Sequence, residues 1–229
     1  MSASQPDRPT RRSVLTGAGL AMAGGAAAAV LPSGVAAADP AGVAHPAAGG
    51  TAAEFRGRIT QSGPSGQDFA ALGILTGLSG VPRADLFDGP STTIGTALFT
   101  VTAEGSLVAR VLDQSVHALD IAGTLAVFQR RHGGADFARP RSFFEGTLVA
   151  RFELALQDVL TVFATARGLP TLTGDMRQTV AGRLAGHPAG RRFGGAGQRL
   201  RMLATGLGEL VDPVTLNAQL EVAGTWSVE

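Results

Sequence analysis

Two stretches far apart in the chain say almost the same thing: Ala118-Leu119-Asp120-Ile121-Ala122-Gly123-Thr124 and Gln219-Leu220-Glu221-Val222-Ala223-Gly224-Thr225. In both, apolar residues alternate with polar or small ones, the period of a strand with one buried face. At the same offset, Phe99, Val101, Ala103 and Gly105 fall opposite Leu200, Met202, Ala204 and Gly206. Earlier in the chain, Phe55-Arg56-Gly57-Arg58-Ile59 resembles Phe144-Glu145-Gly146-Thr147-Leu148, and Gln67-Asp68-Phe69 resembles Gln157-Asp158-Val159. Coincidence in a chain this rich in Ala, Gly and Val is one explanation. Duplication of a β unit is the other, and the shared order favours it, giving halves 54–131 and 143–229.

The pattern predicts an all-β domain over 54–229. Strand candidates are 55–60, 69–76, 94–102, 107–112 and 117–128 in the first half, and 146–155, 159–165, 179–184, 199–205 and 216–228 in the second. Ala103-Glu104-Gly105 and Ala204-Thr205-Gly206 read as turns between paired strands. The segment from Leu156 to Pro170 also fits a helical face ending at Arg167-Gly168, but its partner at 69–82 carries Gly73 and Gly77, which favours strand. About ten strands close on themselves in two ways, as one barrel or as a two-sheet sandwich, and either protects exposed edges.

The N-terminal segment has a different texture. Thr10-Arg11-Arg12-Ser13-Val14-Leu15 precedes a weakly apolar run that ends near Pro32, followed by Val35-Ala36-Ala37-Ala38. This resembles a bacterial twin-arginine export signal over residues 1–38, with Arg11 and Arg12 as its motif. The resemblance implies the twin-arginine translocation machinery as a partner and a secreted or cell-envelope location, with no stable membrane span after cleavage. Retention of the segment as an anchor is the alternative. Residues 39–53 are small and Pro/Gly-rich, a flexible tether.

Charge and composition narrow the function classes. The chain has 19 basic and 18 acidic residues. Removing Arg8, Arg11, Arg12 and Asp7 with the signal leaves 16 against 17, without the concentrated positive field that nucleic-acid binding needs. There is no cysteine, which excludes disulfides and thiolate chemistry. Ser79, in Gly-Leu-Ser-Gly-Val, misses the nucleophile-elbow spacing. His45, His117, His132 and His187 form no metal-binding motif, so no metal or cofactor is expected.

Three features remain. The loop Arg130 to Arg141, with four arginines and a histidine, reads as a solvated linker rather than an anion grip. Arg191, Arg192 and Arg199 flank the glycines of a second loop and are candidates for anion binding, although the loop lacks the ending of a phosphate-binding motif. Asp68 and Asp158 are the carboxylates that the repeat would pair. Near a pseudo-twofold axis they could form an acid/base couple; elsewhere they are turn residues. The leading expectation is an exported, non-catalytic β-rich protein that binds an apolar or envelope-derived ligand or another exported protein. The alternative is an exported enzyme, either a carboxylate-based hydrolase or a barrel-type isomerase or cyclase.

Overall fold

The computed structural model describes residues 49–187 and 191–229. The export motif expected at Arg11 and Arg12, the rest of the expected signal and most of the expected tether lie outside the described residues, and the last residues of that tether, from Thr51, belong to the first strand. From Thr51 onward the chain forms one closed barrel in which every strand pairs antiparallel with its sequence neighbour, and the last pairs with the first. The strands are β1 Thr51–Ser62, β2 Asp68–Leu78, β3 Phe99–Asp113 and β4 Val116–Gln129. They continue as β5 Thr147–Ala164, β6 Arg167–Ala181, β7 Arg199–Asp212 and β8 Asn217–Val228.

Among the described residues the count is eight strands rather than ten, and the sheet closes as a barrel rather than a sandwich. Of the expected strand 94–102, Ile94–Thr96 form a 3-10 turn and only the part from Phe99 is strand. That part joins 107–112 in one strand, as 146–155 joins 159–165, because Ala103-Glu104-Gly105 and Gln157-Asp158 continue the ladder instead of turning. Ala204-Thr205-Gly206 likewise lies inside β7. The strand reading of 156–170 holds, but with a tight reversal inside it. Ala166 takes a positive φ between β5 and β6, so Arg167-Gly168-Leu169-Pro170 opens a new strand.

Alternation produces the core. On β6 inward Gly168, Pro170, Leu172, Gly174, Met176 and Gln178 are buried, and most of the residues between them are exposed. On β5 the inward series runs Phe152, Leu154, Leu156, Asp158, Leu160, Val162. Fully burying a side chain such as Phe152 or Leu154 contributes about 1.5–3 kcal/mol, so repetition around eight strands supplies a large part of the stability.

The repeated Gly-Thr pairs have a steric role. A Cβ at Gly123 on β4 would lie 2.6 Å from Gly105 Cα on β3; a Cβ at Gly224 on β8 would lie 2.6 Å from the Ala204 Cβ on β7. Both glycines let neighbouring strands approach where the barrel coils. Gly224→Val should therefore cost about 2–3 kcal/mol and lower the melting temperature by several degrees, measurable by thermal denaturation. An unchanged melt would remove this explanation of the motif. The Gln-Asp pairs, by contrast, do not occupy matching places: Asp68 opens β2, whereas Asp158 sits well inside β5.

The two ends of the barrel differ. The β1–β2, β3–β4, β5–β6 and β7–β8 turns gather at one end and are short. The other end carries the long connections. Residues 79–98 and 130–146 cover the outside of β2 and β3, which is why Ile74 and Thr100 are buried although they point away from the barrel axis. Thr100 donates its hydroxyl to the Phe143 carbonyl at 2.7 Å. The β6–β7 connection inserts Phe193 beneath the sheet, where Trp226 meets Phe55, Phe152 and Phe193 with ring centroids 5.6, 5.8 and 6.5 Å away. This aromatic floor closes that end. The short-turn end is open.

Candidate functional site

Above the packed middle layers, the open end holds a cavity of about 170 Å³. Its walls are mostly apolar: Leu119 and Leu160 below, Val162, Leu210 and Leu216 higher, and Ala218 and Leu220 from β8. Gly168 and Gly208 contribute no side chains, which leaves room between β6 and β7. Leu112, which also lines the cavity, is half exposed at the mouth, and Val111, Val116, Phe163, Leu169, Val211 and Val214 are exposed on the outer side of the hairpins at this end.

A small set of polar groups breaks the apolar surface: Gln61, Arg110, His117, Asp158, Arg167 and Glu209. Arg110 reaches it through a local irregularity. Residues 99 to 107 of β3 face inward at odd positions; the register then shifts between Leu107 and Ala109, and Arg110 becomes the residue opposite inward Leu119. A bulge of this kind re-aims a side chain without breaking the strand. Its guanidinium donates to the carbonyls of Ser65 at 2.9 Å and Gly66 at 3.0 Å, and Gln61 donates to the same Gly66 carbonyl at 2.7 Å. The β1–β2 turn thereby fixes Arg110 and Gln61 at the wall. Among the described residues, no carboxylate forms an ion pair with Arg110.

Asp158 lies deepest of the charged groups. Only 3% of it is exposed, and its Oδ1 has no hydrogen-bond partner. It lines both the mouth cavity and a smaller apolar pocket of about 40 Å³ beneath, bounded by Phe69, Ile121, Leu156 and Leu172. Its strand neighbours, Leu119 on β4 and Leu172 on β6, offer no charge. Loss of hydration pushes its carboxyl up to about 7, opposed only by a hydrogen bond from the Thr171 backbone. An apolar recess with few polar groups and one strongly perturbed acid is the usual form of a small-molecule site.

The other expected site residues lie elsewhere. Asp68 is exposed at the start of β2, beside Gly63 in the β1–β2 turn, and is a turn residue. It does not share a cavity with Asp158, so the carboxylate couple does not form. Arg191 and Arg192 belong to the connection at the closed end; the Arg191 guanidinium rests against Gly80, and Arg192 donates to the Ala181 carbonyl at 3.4 Å. Arg199 borders an outer groove among Glu153, Asp175, Arg177 and Arg201, whose charges pair as Arg177–Glu153 and Arg201–Asp175. The three arginines therefore do not converge on the mouth cavity.

Arg130 is not solvated as a linker residue would be. Its guanidinium is mostly buried, bonding the carbonyls of Ser142, His132 and Gly133 and pairing with Glu145 at 3.0 Å, so it staples its own loop. His117, which belongs to no metal-binding motif, lines the cavity. Among the described residues, no cluster of three His, Asp or Glu side chains could hold a metal ion.

One signal in the sequence could have revealed this site. The inward series on β5 is apolar at every position except Asp158, and a lone acid in such a series is a buried acid rather than a turn. Arg110, in contrast, could not be found by parity, because the bulge reverses it. No family model, curated protein or solved structure matches the chain.

Proposed function

We propose that this barrel binds a small apolar molecule in its mouth cavity. The observation that carries the proposal is a recess with mostly apolar walls that opens at one end of the barrel. An apolar cavity of roughly 150 Å³ accommodates a benzene-sized group, so a single ring or a short branched chain fits here. Arg110, Gln61 and His117 supply polar contacts at the wall and favour a ligand with one hydrogen-bonding atom over a pure hydrocarbon. Export is part of the same proposal and is supported by Arg11 and Arg12 before the weakly apolar run. Descent from a duplicated unit is supported by the matching contacts of Gly123 and Gly224.

Gly208 provides the test. A Cβ added there would make only ordinary contacts, 3.5 Å to the Gly168 carbonyl and 3.6 Å to Leu160 and Leu220 side-chain atoms, so a larger residue can grow into the cavity without displacing the strand. Wild-type protein should bind phenol, a single ring with one hydrogen-bonding atom, saturably in isothermal titration calorimetry. Gly208→Leu should fold normally and bind at least about tenfold more weakly, a loss of roughly 1.4 kcal/mol. Equal binding by both proteins would place the phenol elsewhere and defeat the proposal.

A further inference from the structure

Asp158 has one backbone partner, Thr171, and no charged one, and its Oδ1 is buried without a hydrogen bond. Burying a carboxyl so incompletely satisfied is costly, and a Leu or Asn in its place would fill the same inward position of β5. The residue lines both the mouth cavity and the smaller pocket beneath it. Arg110 is brought into the same wall by a bulge and has no carboxylate to neutralise it. In register, Arg110 lies opposite Leu119, and Leu119 lies opposite Asp158. The acid and the cation therefore project inward from strands two apart, a separation of about 9–10 Å along the sheet with Leu119 between them, and both line the mouth cavity, so one small molecule seated there can meet both.

We propose that Asp158 is the catalytic proton-transfer group of an isomerase for small apolar carbonyl compounds, with Arg110 facing the carbonyl oxygen. This inference rests on the cavity being a ligand site. The ionised Asp158 removes a proton from the carbon next to the carbonyl. The electrons of that C–H bond form a carbon–carbon double bond, and the carbonyl π electrons move onto oxygen, where the Arg110 charge stabilises them. In the second half the oxygen electrons re-form the carbonyl, the enolate double bond shifts to lie between the α and β carbons, the former alkene π electrons take the proton from Asp158 at the γ carbon, and the carboxylate is restored. A β,γ-unsaturated ketone thus becomes the conjugated isomer. The proton is returned, and no oxidant, reductant or other co-reactant is consumed.

The protonation equilibrium of Asp158 suits this task, since a base poised near neutrality exists in both forms at working pH. The charged or titratable groups facing the cavity from neighbouring strands are Arg110 on β3, His117 on β4, Arg167 on β6 and Glu209 on β7. A pH profile therefore needs a His117 control.

The test uses the full chain with cyclohex-3-enone, following formation of cyclohex-2-enone by its absorbance, while calorimetric competition with phenol reports binding. The expected result is catalysed conversion with a rate that rises through about pH 7 and levels off above it. Asp158→Asn should lose at least 10²-fold in rate while still binding the enone, and His117→Gln should keep the inflection near 7. Arg110→Gln should slow turnover more than it weakens binding. Enone that competes with phenol but is not converted faster than in buffer, or that Asp158→Asn converts at the wild-type rate, overturns the catalytic role and leaves the binding site standing. Absence of any phenol or enone binding removes the binding site and this inference with it.

Discussion

Stability of the wild-type barrel should fall as the pH is raised from about 4 to 8, and Asp158→Asn should abolish most of that fall. The folded-state carboxyl is raised from 3.8 to about 7, so the native state holds this proton more tightly than the unfolded chain does. The associated stability is fully present below the unfolded value, declines between the two, and is lost as pH rises through 7. A displacement of about three pH units corresponds to roughly 4 kcal/mol, an upper figure for a group at the edge of a cavity. At pH 8.5 the Asn variant should therefore melt on the order of 10 °C above wild type, whereas at pH 4 the two should nearly coincide. Asp136 and Asp212 shift the opposite way. Their carboxyls are held below the usual value, chiefly by the Ala138 backbone N–H for Asp136 and the Thr215 hydroxyl for Asp212. Stability from those exposed turns is lost on the acid side as pH falls, and it cancels in the comparison because both proteins carry them. Parallel pH curves for wild type and variant would show that Asp158 ionises normally.

The second large effect concerns the floor. Trp226 is fully buried against Phe55, Phe152 and Phe193, and Trp226→Ala should cost about 3–5 kcal/mol. Its indole Nε1 has no hydrogen-bond partner, so the ring contributes through packing alone. Trp226→Phe should accordingly cost less than about 2 kcal/mol, the residual loss arising from the smaller ring. Denaturant titration at constant pH separates the two variants by midpoint. Equal costs would mean that the indole nitrogen, through a bound water, carries part of the stability.

The ability of this sequence to announce its strands comes from one-sided burial, and its failures come from places where burial or parity departs from that pattern. β7 and β8 are legible because Leu200, Met202 and Ala204, and Leu220 and Val222, alternate with exposed neighbours. β6 was legible only at its far end, since Gly168, Pro170 and Gly174 are poor strand residues that survive where the interior has room for small groups. The merging of 146–155 with 159–165 was hidden by Asp158 itself. A polar residue in mid-strand looks like a turn until its neighbours at 154, 156, 160 and 162 are read as one inward series. Half of the expected acid pair thus lies at the candidate site, for a reason unrelated to the pairing. Arg110 and the cavity depend on a bulge and on closure of the sheet, which bring together β3, β4, β5 and β7 from segments distant in the chain. No local pattern encodes that meeting.

The open end of the barrel holds an apolar recess of ligand size beside Asp158. Xenon pressurised into crystals of the protein reports on it without any ligand, because xenon enters apolar cavities that are open to it and leaves hydrated ones to water. Xenon density is expected between Leu160, Leu210 and Leu220, next to Gly208, and its loss is expected in Gly208→Leu. A recess filled by an ordered water chain hydrogen-bonded to both Asp158 oxygens, with no xenon in either protein, would contradict it.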